Sequence, residues 1–213
     1  MIFIVDYGMG NLGSVAKALD YLGFSNRITQ DPEQVASAER LILPGVGAME
    51  YAVRQLERLG LDQAIRSYLS TGRPFLGICL GMQLMFESSE EGNARGLGLL
   101  PGVVRRFPAQ PGLKVPHMGW NRLENSRLPI LPEGGSFYFV HSYYADPADP
   151  ALVAARSTHG IPFAAAVQTG PILLTQFHPE KSGDAGLELL SRWAGQTDGG
   201  CPCDSETTGG AAR

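Results

Sequence analysis

The stretch Pro74-Phe75-Leu76-Gly77-Ile78-Cys79-Leu80-Gly81-Met82-Gln83 restricts the fold more than any other part of the chain. Phe75 to Ile78 is an apolar run of strand length, entered through a proline. A Gly-x-Cys-x-Gly turn follows, and Met82, Gln83, Leu84, Met85 and Phe86 are residues that favour helix. Strand, sharp turn, helix is the arrangement that holds a nucleophile at the carboxyl edge of a sheet. Gly77 tolerates strained dihedrals before the cysteine, and Gly81 lets the new helix lie close to the strand. A thiol at a helix N-terminus also meets the positive end of the helix dipole, which favours thiolate. Taken alone, the stretch leaves a second reading open, in which Cys79 is a small buried hydrophobe.

The rest of the chain repeats the strand–turn–helix alternation. Ile2 to Val5 is a continuous apolar strand, as expected where both faces of a parallel sheet are covered. The turn Tyr7-Gly8-Met9-Gly10-Asn11 leads into a helix striped by Leu12, Val15, Ala16, Leu19 and Leu22, which Gly23 stops. Phe24 to Thr29 and Arg40 to Leu43 read as strands, the second ending at Pro44-Gly45-Val46-Gly47. Met49, Ala52, Val53, Leu56 and Leu59 mark one further helix, and Leu61, Ala64, Ile65, Tyr68 and Leu69 another. The alternation predicts an α/β fold, an open and mostly parallel sheet flanked by helices, with right-handed crossovers and ligands beyond the carboxyl ends of the strands.

From Leu97 the texture changes. Val103-Val104, Phe137 to Val140, Leu152 to Ala155, Phe163 to Val167 and Ile172 to Thr175 are short strand-like pieces divided by proline and glycine. They predict extra antiparallel strands in the C-terminal half, added to the sheet or packed on it. A last helix carries Leu187, Leu190 and Trp193. Residues 1–195 thus read as one domain. Residues 196–213, polar and without apolar periodicity, read as a disordered tail.

Composition excludes several function classes. A net charge of −4 leaves no basic footprint for nucleic acid. No apolar stretch approaches the ~18–20 residues that span a bilayer, and Met1 to Asp6 has no basic n-region and reads as a strand. Three cysteines, Cys79, Cys201 and Cys203, make no disulfide framework, which points to a reduced cytoplasmic setting. Cys201 and Cys203 have no histidine nearby to close a tetrahedral zinc site, so no metal is expected, and nothing calls for a cofactor.

Chemistry gathers again at Thr175-Gln176-Phe177-His178-Pro179-Glu180. In extended backbone, residues two apart share a face, so His178 and Glu180 can point the same way, with Pro179 stiffening the pair. A carboxylate bonded to one imidazole nitrogen leaves the other free as a base, the logic of a nucleophile–base–orienter triad. A surface histidine and glutamate at a strand end is the alternative. The oxyanion such a nucleophile generates could be met by the N–H of Leu80 and by one from the Gly45, Val46, Gly47 turn, although these glycines read equally well as plain turn residues.

Pro-Phe-Leu-Gly-Ile-Cys-Leu-Gly-Met-Gln followed far downstream by Phe-His-Pro-Glu resembles the class I glutamine amidotransferases, over the whole chain except the tail. The resemblance implies Cys79 as nucleophile on the glutamine side-chain amide, His178 as general base and acid, and Glu180 as orienter. It also implies a γ-glutamyl thioester and release of ammonia. Three further segments are similar to one branch of that family, the glutaminase subunits of imidazole glycerol phosphate synthases of histidine biosynthesis. These are Tyr7 to Leu12, Pro116-His117-Met118-Gly119-Trp120-Asn121, and His141-Ser142-Tyr143. For that branch the resemblance implies that Gln83, His141, Ser142 and Tyr143 hold the two ends of glutamine. It also implies that Asn11, Met118, Trp120 and Lys181 face a cyclase subunit, a (β/α)8 barrel, in a heterodimer. Tryptophan and methionine suit an interface core. His117 to Trp120 reads equally as a core strand with a satisfied histidine, and His159 as a loop histidine. Other glutaminase subunits, a non-catalytic scaffold and a cysteine peptidase are the competing functions.

Overall fold

The computed structural model describes residues 1–92 and 94–196. The expected tail, apart from Gln196, and with it Cys201 and Cys203, lies outside the described residues. Strand β1 (Ile2–Val5) leads to helix α1 (Leu12–Tyr21), then β2 (Asn26–Thr29), α2 (Pro32–Ser37) and β3 (Arg40–Gly45). Helices α3 (Met49–Arg58) and α4 (Leu61–Leu69) follow, then β4 (Phe75–Cys79), the short α5 (Leu80–Gln83) and β5 (Phe86–Ser89). The C-terminal half holds β6 (Leu100–Arg106), β7 (His117–Arg122), β8 (Ser136–His141), β9 (Tyr143–Pro147), β10 (Val153–His159), β11 (Ile161–Thr169), β12 (Ile172–Thr175) and α6 (Gly183–Gly195).

The main sheet has seven strands in the order β10-β11-β12-β4-β3-β1-β2. The five from β12 to β2 are parallel, and β11 and β10 extend that edge in antiparallel fashion. Apolar residues cover both faces. Val5, Leu43 and Phe75 pack towards α3 and α4 with Leu56 and Ile65. Ile4, Ile42 and Leu76 pack towards α1 and α6 with Leu19, Leu190 and Trp193. Burial on both sides is the reason these strands carry continuous rather than alternating apolar runs. The late strand-like pieces divide between two roles: β10 to β12 join the main sheet, while β5-β6-β9 and β7-β8 form separate small sheets.

Three local expectations are corrected. Ile172–Thr175 is not antiparallel to its whole surroundings, because it pairs with β4 in parallel register, Thr175 against Ile78. The helix expected to run through Phe86 ends after one turn at Gln83, and Phe86 begins a strand. Carbonyls that a longer helix would use are taken by the returning chain instead, Leu84 O by Leu97 N at 2.8 Å and Met85 O by Leu100 N at 2.9 Å. Tertiary pairing outweighs helix propensity there. Helix α2, absent from the sequence reading, is started by Asp31, whose side chain accepts from Glu33 N at 2.9 Å, with Pro32 in the first turn.

Candidate active site

The parallel register aligns the carboxyl ends of three strands. Gly45 of β3 lies opposite Cys79 of β4, and β12 ends beside Ile78 and leads into His178. Cys79 has φ 54° and ψ −106°, a positive-φ conformation that glycine adopts freely and other residues rarely, costing of order 1–3 kcal/mol. That strain lies on the cysteine itself rather than on Gly77, whose φ is not positive. Gly77 is required for space: a Cβ there would sit 2.9 Å from Gly81 O and 2.7 Å from Leu174 Cδ2. At Gly81 a Cβ would lie 1.8 Å from the carbonyl oxygen of Leu43. The elbow thus rests directly on β3, as the sequence led one to expect for Gly81. Since α5 is one turn long, its dipole gives the sulfur little help, and the neighbouring side chains decide its chemistry instead.

Behind the sulfur stands a buried pair. His178 Nδ1 and Glu180 Oε1 are 2.8 Å apart, with side chains 2% and 1% exposed. Pro179–Lys181 is a 3₁₀ turn, not the extended backbone expected, and the turn brings the carboxylate under the ring. Burial alone would lower the His178 pKa. The adjoining Cys79 sulfur and the Glu180 carboxylate outweigh it and raise the value well above the usual histidine range, to about 10. Nδ1 is committed to the carboxylate, and the Cys79 sulfur favours the protonated ring through both its charge and hydrogen bonding. An imidazolium beside a sulfur is an arrangement for holding a thiolate and then moving one proton.

A cavity of about 570 Å³ opens on this group, lined by Val46, Gly47, Ala48, Leu80, Gln83, Ser142 and Tyr143 with Cys79. Glu91 and Lys181 also line it, giving it one carboxylate and one ammonium. Gly45 is buried at the end of β3, just short of the cavity wall. Gln83 donates both protons of its amide inward, to Tyr143 O at 2.9 Å and to Gln176 Oε1 at 3.0 Å. Only its Oε1 remains for a ligand. His141 contributes to the wall but spends its ring on the interior. Nδ1 must donate to Tyr143 O at 2.8 Å, since a carbonyl only accepts. Its Nε2 then accepts from His117 Nδ1 at 3.0 Å, and His117 Nε2 accepts from Asn121 Nδ2 at 3.2 Å. Burial drives both histidines neutral, His141 to about 3 and His117 to about 4. His159 is no loop residue: it ends β10, stacks on His117 at 4.2 Å and bonds Lys114 O at 2.9 Å.

Strand β7 has one face inward and one outward. His117 points into the core, while Met118 and Trp120 are 64% and 58% exposed. Asn11 sits at the start of α1, where its Oδ1 accepts from Ser14 Oγ at 2.9 Å. The sequence reading overlooked Glu91, which carries no motif around it, and gave no role to Gln176, although it sits inside the His178 motif.

The profile of the family described as "Glutamine amidotransferase class-I" matches residues 3–194. Among curated proteins, the "Imidazole glycerol phosphate synthase subunit HisH" of Syntrophotalea carbinolica is 50% identical over 203 residues, covering 91% of this chain and 98% of its own. Its namesake from Moorella thermoacetica is 50% identical over 197 residues, covering 90% and 93%. That from Nostoc punctiforme is 46% identical over 202 residues, covering 92% and 96%. A solved structure described as a glutamine amidotransferase superposes with a TM-score of 0.70 at 20% identity, over 92% of this chain and all of that one. The structure of PurLQS from Thermotoga maritima superposes with a TM-score of 0.68 at 19% identity, over 90% and 96%, a likeness of fold alone.

Proposed function

The chain belongs to the class-I glutamine amidotransferases, and we propose that Cys79, His178 and Glu180 are the machinery with which it hydrolyses glutamine as the glutaminase subunit of imidazole glycerol phosphate synthase. The subunit role is the one named for relatives of near-equal length at 46–50% identity. The observation that carries the residue roles is the buried 2.8 Å His178–Glu180 pair behind a strained cysteine at a cavity mouth.

In this reading the thiolate of Cys79 attacks the amide carbon of glutamine. The resulting oxyanion is met by Leu80 N–H and an N–H of the Gly45–Gly47 turn, each worth on the order of 10²–10³ in rate. His178 gives its Nε2 proton to the departing nitrogen, the C–N bond breaks, and ammonia leaves a γ-glutamyl thioester. His178, now neutral, takes a proton from water, whose oxygen adds to the thioester. Collapse breaks the C–S bond and returns the thiolate and glutamate. Glu180 holds the ring and stabilises its charged form. Glu91 and Gln83 Oε1 accept from the substrate's α-ammonium, while Ser142, Tyr143 and the wall formed by His141 receive the α-carboxylate end.

Ammonia released into water would be protonated and lost as a nucleophile, so the reading includes a sealed partner. Met118, Trp120, Lys181 and Asn11 would face a (β/α)8-barrel cyclase in a heterodimer. Ammonia would pass to a phosphorylated ribulose intermediate, giving imidazole glycerol phosphate and aminoimidazole carboxamide ribotide. The setting is cytoplasmic, where Cys79 stays reduced. The test is ammonia release from glutamine by the purified chain, alone and with a cyclase barrel and its nucleotide. A strong rise with the partner is expected, and equal turnover in both would refute the coupling. Cys79→Ala in the complex should abolish synthesis from glutamine while added ammonia still supports it.

A further inference from the structure

Gln176 is fully buried, and it is the one polar side chain touching the sulfur whose job the mechanism leaves open. Its amide has a single orientation consistent with its neighbours. Gln83 Nε2 donates to Tyr143 O, an acceptor only, and its second proton goes to Gln176 at 3.0 Å, so the atom receiving it is Gln176 Oε1. The NH₂ group of Gln176 is thereby turned to Cys79, where Nε2 lies 3.7 Å from Sγ. Besides His178, the sulfur also meets the carbonyl of Val140 at 3.9 Å, which can take the proton of a neutral thiol but repels a thiolate. The interior thus offers one acceptor for the thiol form, and Gln176 adds a donor to His178 for the charged form.

We propose that Gln176 is a further catalytic residue of this site, a fixed N–H donor to the Cys79 thiolate, held in that orientation by Gln83. The donor has most effect when the sulfur carries full charge. That is so in the resting ion pair with His178 and again as the C–S bond of the thioester breaks. It has least effect in the thioester, whose sulfur is neutral. Loss of the donor therefore raises the barrier to thioester breakdown and lowers the thiolate population at rest. The other titratable groups around the sulfur are His178 and Glu180 behind it, Tyr7 beneath the elbow, His141 on β8, and Glu91 and Lys181 on the cavity wall. None of them changes in the variants below.

The proposal builds on the glutaminase reading, so the deciding experiment uses no glutamine. The rate of Cys79 alkylation by iodoacetamide is followed against pH, with the Cys79 peptide quantified by mass spectrometry to separate it from Cys201 and Cys203. Gln176→Met keeps the volume and removes both the donor to the sulfur and the acceptor for Gln83. Its alkylation midpoint should move alkaline by about one pH unit, the size expected for one hydrogen bond to a charged group. Gln176→Glu keeps the acceptor for Gln83 and puts a carboxylate where the donor was, and should move it further. In the complex, kcat for glutamine should fall about tenfold in Gln176→Met. A folded variant with an unmoved midpoint overturns the proposal, whatever its turnover. If neither variant folds, NMR of the unmutated chain decides: the Gln176 side-chain amide protons should shift through the same pH midpoint as alkylation, and their failure to do so overturns it. A moved midpoint in a chain that leaves glutamine intact would keep the contact and refute the glutaminase reading.

Discussion

Gly81→Ala should separate the elbow from the strand it rests on. A Cβ at residue 81 would stand 1.8 Å from Leu43 O and 2.9 Å from Leu43 C, where contacts under 3.0 Å are essentially never found. Relief requires α5 and β3 to part by at least about 1.2 Å, since the obstruction is backbone and no rotamer can yield. Alanine gains roughly 0.5–1 kcal/mol over glycine in a helix, but forcing one methyl into packed backbone costs about 1–3 kcal/mol or more. The net loss is therefore about 1 kcal/mol at the middle of these ranges, and more where the backbone cannot part. The catalytic loss should be larger, because β3 carries the Gly45–Gly47 turn and β4 carries Cys79. A displacement of about 1 Å between a nucleophile and its oxyanion donors costs on the order of 100-fold. Urea unfolding measures the first quantity and ammonia release by the complex the second. Gly13→Ala is the matched control: it lies in α1 with nothing within 4 Å of the added methyl, and should gain about 0.5–1 kcal/mol with turnover unchanged. If Gly81→Ala matched the parent in both assays, the close approach would carry no functional weight and the argument from the elbow would fail.

Acid should destabilise the fold through His117 and His141. Their folded pKa values, about 4 and about 3, lie below the unfolded value near 6.5, so the unfolded chain binds more protons as pH falls from 6.5 towards 4. Their contribution is full above pH 6.5 and is lost on acidification, up to about 4 kcal/mol for the two between pH 7 and pH 5. His178 works in the opposite window, its contribution being full below pH 6.5 and lost as pH rises through about 10. Urea midpoints that stay level between pH 7 and pH 5 would contradict the neutral hydrogen-bond chain. Met118→Ala with Trp120→Ala removes two exposed side chains. It should weaken cyclase binding more than 30-fold by calorimetry, the scale of a buried aromatic anchor, while stability moves by less than about 1 kcal/mol. Unaltered affinity would place the interface elsewhere.

The sequence carried the sheet core because local and tertiary preferences agree there. Ile2 to Val5, Leu41 to Leu43 and Phe75 to Ile78 are apolar on both faces, as a covered parallel sheet requires. The Gly-x-Cys-x-Gly and His-Pro-Glu segments also stood out as short-range patterns, although each taken alone left a plain structural reading open and the turn at Pro179 was not expected. The one-turn length of α5 was not legible, because residues 97–100 return to claim its carbonyls. Nor was the parallel pairing of β12 with β4, a choice made between segments a hundred residues apart.

The amide of Gln176 gives the sharpest case. Sequence places it two residues before His178, as one polar residue in an apolar strand end. Only the fold closes the chain from Tyr143 O through Gln83 to Gln176 and on to the Cys79 sulfur. The same holds for Glu91, a surface-type residue by sequence, which the fold turns into the cavity wall. Sequence by itself determined which side chains carry reactive groups and which segments form the core strands of the main sheet, since both follow from residue type and local spacing. Tertiary structure decided which of those groups meet, because hydrogen-bond direction and burial depend on partners that the chain brings together from distant positions.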